Sequence, residues 1–442
     1  MTTTEFTASA LTRQELTDRK LAAQGLLSQA LAEAYQDRDV PDGIMDLLAS
    51  QRKPGRVCGI FFAGRSGSFL LQSFFDEFVH PQVLTAHPVG LCSFDLEITQ
   101  DWIDDFNRNS FATNAAVEEG CHRLLRRLFY LFTKVPGHPA LDQLCVPEQL
   151  LTKFVLGQLL LLEPSTLTYD TLLKILFLSY RLTRGGPIAT DKLLVYLWQA
   201  HTPSPERKLW MKRAFDRPYL LTMVRLPEKA LDSHLIHHGY ESVSPPFHTL
   251  FRRLFFEHLC VNDELVSMPF DRREWVLRFE DLHRHTADVL QALCNLIEVP
   301  YYEGLSKNQF TLSVRGKPVT GTRTLGPNEL EPRLLNRFDR LKVRYLMQEE
   351  YRVWGYESFC APGLQASIEE YLSEPLAQSV PFGAHMILGG PPDTDLHGLL
   401  KESFLHKELF HLERKRRDQG IVLTPLLYRP ADMENSPAAR SF

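Results

Sequence analysis

Apolar positions change their spacing several times along the chain, and each change marks an element. The sharpest change lies in Val57–Asp76, VCGIFFAGRSGSFLLQSFFD. Val57 to Phe62 is a short apolar run, the pattern of a strand buried on both faces. Gly64-Arg65-Ser66-Gly67-Ser68 interrupts it with turn residues. Phe69, Leu70, Leu71, Phe74 and Phe75 then recur at helical spacing. The stretch predicts a strand, a tight glycine turn and a helix.

Upstream, Leu16, Leu21, Leu26, Leu27, Ala30, Leu31 and Ala34 fall near one face of a helix, and Pro41-Asp42-Gly43 closes the region. A packing helix is the expectation, with a docking helix for a partner as the alternative. Between 101 and 200 the texture is leucine-rich. His122–Val135, Gln149–Leu162, Thr171–Leu182 and Asp191–Ala200 read as helices, broken at Pro136-Gly137, Glu163-Pro164-Ser165 and Arg184-Gly185-Gly186-Pro187. Most of these leucines are expected in a core; the alternative is that some line an apolar acceptor pocket or lid. Tyr219–Val224 reads as a buried strand, and Pro227 suits the start of the helix that Ala230, Leu231, His234 and Leu235 outline. Trp275–Phe279 is a further strand, Thr286–Ile297 a helix, and Leu334–Tyr351 a long helical pattern. Past Ala361 five prolines loosen the pattern before a charged helix, Leu396–Asp418, whose Lys415-Arg416-Arg417 reads as a solvated face. About the last 20 residues read as a mobile tail.

The alternation of strands and helices predicts an α/β fold: a three-layer sandwich with a mostly parallel sheet, a P-loop-like phosphate-binding loop and a large helical insertion. Residues 1–50 form an N-terminal helical segment, 51–360 the α/β domain with the insertion at 101–200, and 361–442 a C-terminal extension. At 442 residues, 44% hydrophobic and 23% charged, the chain has the balance of a soluble globular protein with an ample core. A net charge of −5 and a pI near 6.4 speak against a nucleic-acid binder. Seven cysteines without CxxC pairs or metal-finger spacing suit a reducing compartment. The N-terminus has no apolar run after a basic start, and Phe154–Leu162 falls far short of the roughly 20 residues of a membrane span. A cytoplasmic protein is expected.

Two stretches carry chemistry. A helix entered from a glycine turn leaves backbone N–H groups aimed into that turn, and its dipole favours anions there. Ser66, Ser68 and Arg65 add two hydroxyls and a guanidinium to those donors. Arg225 leaves the C-terminal end of a strand, and Ser233 lies two turns into the next helix. Ligands of open parallel sheets collect at the carboxyl ends of strands, where an arginine and a hydroxyl can hold a second phosphate. The plainer alternative has Arg225 capping a helix or pairing with Glu228.

With these residues in view, the chain resembles sulfotransferases that use 3′-phosphoadenosine 5′-phosphosulfate (PAPS), in their bacterial and tyrosylprotein-like branch. Gly64-Arg65-Ser66-Gly67-Ser68 looks like their 5′-phosphosulfate loop, and Arg225 with Ser233, eight positions on, like their 3′-phosphate motif. Leu277-Arg278-Phe279-Glu280-Asp281-Leu282 is similar to the segment that follows. Val314-Arg315-Gly316-Lys317-Pro318 sits where cytosolic members carry an Arg-Lys-Gly loop against the 3′-phosphate, here with basic and glycine residues permuted. The resemblance covers roughly 56–360, with the helical block loosely matched. Phe69 replaces a second hydroxyl residue usual in the loop, and Phe279 stands where cytosolic members often have tyrosine.

The resemblance implies transfer of a sulfuryl group from PAPS to a hydroxyl or amine by in-line displacement, in which the protein positions groups and neutralises charge. It assigns the 5′-phosphate and leaving-group charge to Arg65 with Ser66, Gly67, Ser68 and Phe69, and the 3′-phosphate to Arg225, Ser233, Arg315, Gly316 and Lys317. No metal is expected. The expected proton acceptor is a histidine: His201 first, at a spacing before Arg225 like that of the catalytic histidine of cytosolic members, and His87 second; the alternatives are that His201 replaces a lysine assisting the leaving group, or that either is a loop residue with no role. The acceptor is a small or carrier-bound molecule, apolar if the leucine block lines its pocket. A non-catalytic nucleotide-binding scaffold is the second class. A nucleotide kinase is the third, disfavoured because the loop lacks GxxxxGK[ST].

Overall fold

The computed structural model describes residues 11–36, 38–50, 56–62, 66–77, 80–85, 100–128, 145–201, 211–237, 274–307, 312–314, 317–319, 332–335, 340, 343–344, 347, 351–352, 354–356 and 427–428. Five strands form one sheet: β1 (Arg56–Phe62), β2 (Val83–Leu84), β3 (Val195–His201), β4 (Pro218–Val224) and β5 (Glu274–Arg278). Their spatial order is β2-β3-β1-β4-β5, and every neighbouring pair is parallel. Parallel strands need crossover connections, which place helices on both faces and bury both sides of each strand.

The two faces follow the period-two alternation of strand side chains. Cys58, Ile60, Val195, Leu197, Leu221 and Met223 face α3 (Ser68–Glu77), sharing a core with its Phe74 and Phe75 and with the helices near 280–297. Val57, Phe61, Tyr196, Trp198 and Leu220 face the opposite layer. That layer holds α1 (Arg13–Ala34), α2 (Ile44–Ala49), α4 (Gln100–Asn109), α5 (Asn114–Arg127), α6 (Glu148–Leu161) and α7 (Tyr169–Thr183). The fold is thus α/β, a parallel sheet between two helical layers.

Helix α1 starts with a capping box: Thr12 Oγ1 accepts from the Glu15 N–H at 3.2 Å, and the Thr12 N–H donates to the Glu15 carboxylate at 2.7 Å. Arg19, Ala23, Leu27, Ala30 and Leu31 form its buried stripe. Leu21, counted on that face from the sequence, is 61% exposed, because it lies off the 19–23–27–30 row. A Cβ at Gly157 of α6 would come within 2.6 Å of Leu27 Cγ, so glycine lets α1 and α6 close on each other. The leucines of α6 and α7, including Leu151, Leu159, Leu172 and Leu178, are buried in this layer. No helix among the described residues is long and apolar enough to cross a membrane.

Three further sequence readings need correction. Asp191–Ala200 was expected to be helical, but Val195–His201 is strand β3, between β2 and β1. A short apolar run has no period of its own when both faces are buried, and valine, tyrosine and tryptophan favour the strand. Phe279 does not end β5; it opens α9 (Phe279–Arg284), which is followed by α10 (Thr286–Leu296). The tail is not all free of the body: the Leu427 N–H donates to Val276 O of β5 at 2.8 Å, and both Leu427 and Tyr428 pack on the core beside α10. Helical residues of the expected 334–351 helix are described at 340, 343–344 and 351. The expected helix Leu396–Asp418 lies outside the described residues.

Candidate functional site

The carboxyl ends of β3, β1 and β4 lie side by side, with His201 opposite Phe61 and Met223 opposite Phe62. β1 ends at Phe62 and α3 begins at Ser68. Leu71 N donates to Gly67 O at 3.1 Å, so the α3 ladder begins at Gly67, and the first amides of the helix, from Ser68 on, have no acceptor within it. Gly67 has φ +92°, a left-handed backbone that favours glycine. Ser66 and Ser68 on either side are buried.

Space makes a second demand on Gly67. A Cβ there would sit 2.3 Å from Cδ2 and 2.9 Å from Cε2 of Phe279. The edge of that ring therefore rests against the glycine backbone. The same ring carries the Arg225 guanidinium, whose Cζ lies 4.3 Å from the ring centroid, well inside cation–π range. The glycine turn after β1 and the arginine after β4 thus meet on one aromatic side chain.

Around Arg225 the backbone is held by buried charge. Glu280 accepts from the Leu226 N–H at 3.1 Å and from the Tyr356 hydroxyl at 2.5 Å. Burial, with the Glu280 charge behind it, pushes the Tyr356 pKa well above the usual phenol range, so its hydroxyl stays a donor. Arg278 forks onto Asp281 at 2.6 and 3.0 Å and donates to the carbonyls of Trp354 and Gly355. Burial lowers the Arg225 pKa, opposed by Glu280, Tyr356 and Asp232; an arginine shifted this way is still a cation at neutral pH. Glu228, considered as an ion partner of Arg225, is bridged instead by Arg344 at 2.8 Å twice and by the Tyr351 hydroxyl at 3.2 Å. Asp232 accepts from the N–H groups of Arg333, Leu334 and Leu335 at 2.9, 2.6 and 3.3 Å. The residue beside Ser233 thereby anchors the chain shortly after a two-stranded antiparallel hairpin, β6 (Leu312–Val314) and β7 (Lys317–Val319).

The structure brings Gly67 and Arg225 together through Phe279, places Ser66 and Ser68 beside Gly67, and puts Ser233 half-buried in α8 (Pro227–His237). His201 is the last residue of β3. Lys317 is paired with Val314 in the hairpin. Arg65, His87, Arg315 and Gly316 lie outside the described residues, as do the side chains of Phe69, His201 and Lys317. Among the described residues, no group of three or more His, Cys, Asp or Glu side chains is placed to hold a metal ion.

No family model matches the chain, and no curated protein matches it. Several solved structures are similar, two of them as follows. One is a sulfotransferase domain from the Synechococcus PCC 7002 olefin synthase, at 16% identity and a TM-score of 0.31, covering 67% of this chain and 90% of that one. The other is a sulfotransferase domain from the curacin biosynthetic pathway, at 13% identity and a TM-score of 0.32, covering 67% and 99%. Likeness at this level carries no chemistry to this chain, whose case rests on the Phe279 junction.

Two features of the site escaped sequence reading. The β1–β3 register slips between Ile60 and Phe61: Ile60 is opposite Gln199 and Phe61 opposite His201, so Ala200 is an extra residue, a bulge just before His201. Beside it, Gln199 donates to Gln72 of α3 at 2.6 Å inside the core. Two glutamines in otherwise apolar elements were the available signal. The second is the role of Glu280, whose place after Phe279 in FED marked the segment but not its bonds.

Proposed function

We propose that the protein transfers a sulfuryl group from PAPS to a hydroxyl or amine of a small or carrier-bound acceptor. The observation that supports this best is the junction at Phe279. It brings the start of α3 and an arginine at the strand ends within one side chain of each other, and we read the two as the grips for a nucleotide phosphorylated at both the 5′ and 3′ positions. In this reading the amides of Ser66–Ser68 and Arg65 hold the 5′-phosphate. Arg225 and Ser233 hold the 3′-phosphate, with Arg315, Gly316 and Lys317 as its further partners.

The reaction is an in-line displacement. The acceptor oxygen or nitrogen forms a bond to sulfur as the bond from sulfur to the 5′-phosphate oxygen breaks. The departing oxygen takes the electron pair, and its charge is met by Arg65 and the α3 amides. The acceptor proton passes to an imidazole, His201 at the end of β3 or else His87. No step in this scheme needs a metal ion.

Isothermal calorimetry with 3′-phosphoadenosine 5′-phosphate, the desulfonated product, tests the reading. Binding is expected, with no competition from ATP and Mg²⁺. Loss of sulfuryl transfer in His201→Ala or His87→Ala, with nucleotide binding kept, is expected of an enzyme. A wild-type protein that does not bind the bisphosphate overturns the reading; one that binds it and transfers nothing to any acceptor is a nucleotide-binding scaffold.

A further inference from the structure

We infer that Phe279 is a positioning residue that couples the two phosphate grips, so that the site discriminates a nucleotide phosphorylated at both ends from one phosphorylated at either end alone. The inference rests on the nucleotide reading above and goes beyond it by assigning this selectivity to a residue that touches neither phosphate.

Three observations carry it. The ring face lies under the Arg225 guanidinium, 4.3 Å from Cζ to centroid, which limits where that fork can meet a phosphate. The ring edge abuts Gly67 so closely that even a methyl group there would sit 2.3 Å from Cδ2. A shift of the ring toward Gly67 must therefore move the turn that opens α3, and the reverse. The ring is also clamped from behind. It is the first residue of α9, between Arg278, which is forked onto Asp281, and Glu280, which is fixed by Leu226 N and Tyr356, and the His283 ring meets it edge-on at 5.1 Å. A rigid body touching both grips transmits the placement of one phosphate to the other site.

Calorimetric dissociation constants for 3′-phosphoadenosine 5′-phosphate, adenosine 5′-phosphate and adenosine 3′-phosphate test this in the wild type, Phe279→Met and Phe279→Tyr. Methionine keeps much of the volume against Gly67 but removes the π face. The preference for the bisphosphate over adenosine 5′-phosphate should shrink by about three- to thirtyfold in Phe279→Met, the range of a cation–π contact, and should survive in Phe279→Tyr. A general loosening of the fold would weaken all three ligands alike and leave the ratio unchanged. A ratio in Phe279→Met equal to that of the wild type overturns the inference while leaving the nucleotide reading standing. A wild type that binds no bisphosphate sinks both. Should Phe279→Met fail to fold, wild-type protein labelled with ¹⁵N-glycine gives the answer: adenosine 3′-phosphate alone should move the Gly67 amide resonance, and an unmoved resonance overturns the coupling.

Discussion

At the scale of single residues, nucleotide binding turns on an arginine whose geometry matters as well as its charge. The Arg225 guanidinium lies over Phe279, with Cζ 4.3 Å from the ring centre. A lysine keeps the charge but not the planar fork or the stacking. Arg225→Lys is therefore predicted to weaken 3′-phosphoadenosine 5′-phosphate binding by about tenfold, and Arg225→Ala by about a hundredfold, since a charge-assisted hydrogen bond is worth roughly 1.5–3 kcal/mol. Titration calorimetry on both variants checks this, and equal affinity in Arg225→Lys and the wild type would show that only charge is used. A second residue sets acid sensitivity. His80 is buried, accepts from the Gln82 N–H at Nδ1 (3.1 Å) and so donates from Nε2 to Pro300 O (3.0 Å). Burial pulls its pKa below the ordinary 6.5, against the pull of the Pro300 hydrogen bond. The folded protein then binds this proton less readily than the unfolded chain does. The neutral imidazole costs nothing above about pH 6.5, and stability is lost as the pH falls through that value. Melting temperature is expected to drop between about pH 7 and pH 5, with a shallower drop in His80→Asn; parallel curves would remove His80 from the cause.

At the scale of elements, the strands differ in how plainly the sequence declares them. β1 and α3 were legible because the apolar spacing changes at a glycine turn between Phe62 and Ser68. β4 was legible because Pro227 ends the turn after it and starts α8. β3 was not, since Val195-Tyr196-Leu197-Trp198 is apolar on both sides and fits a buried helix equally well until β1 and β2 are seen on either hand. The contact of Leu427 with β5 was illegible for a different reason: two residues docking on a strand edge leave no periodic trace. That contact leads to a prediction. Among the described residues β5 is an outer strand of the sheet, and the Leu427 N–H donates a backbone bond to it while Tyr428 meets His285 and Asp288. Uncovered strand edges pair with other chains. Truncation after residue 420 should lower the melting temperature and produce concentration-dependent association in sedimentation velocity. A truncated protein that stays monomeric and equally stable would show the contact to be incidental.

At the scale of the whole molecule, the topology explains why a site forms where it does. β1 lies at the centre of the sheet between β3 and β4, so the ends of three strands that belong to distant parts of the chain open into one place. Arg225 was readable as a site residue because its position after a buried strand put it there. Its relation to Gly67 was not, because Phe279 joins them only once β5 has been laid beside β4 and α9 has turned back. Ligand linkage should report the result globally: at about a hundredfold excess over Kd, a nucleotide that binds only the folded state adds about 2.7 kcal/mol of stability.

The most direct measurement is a crystal structure with 3′-phosphoadenosine 5′-phosphate bound. One nucleotide is expected to span the Phe279 junction, its 5′-phosphate on the amides at Gly67–Ser68 and its 3′-phosphate on Arg225 and Ser233. A nucleotide bound elsewhere, or one whose phosphates leave either Ser68 or Arg225 untouched, would contradict it.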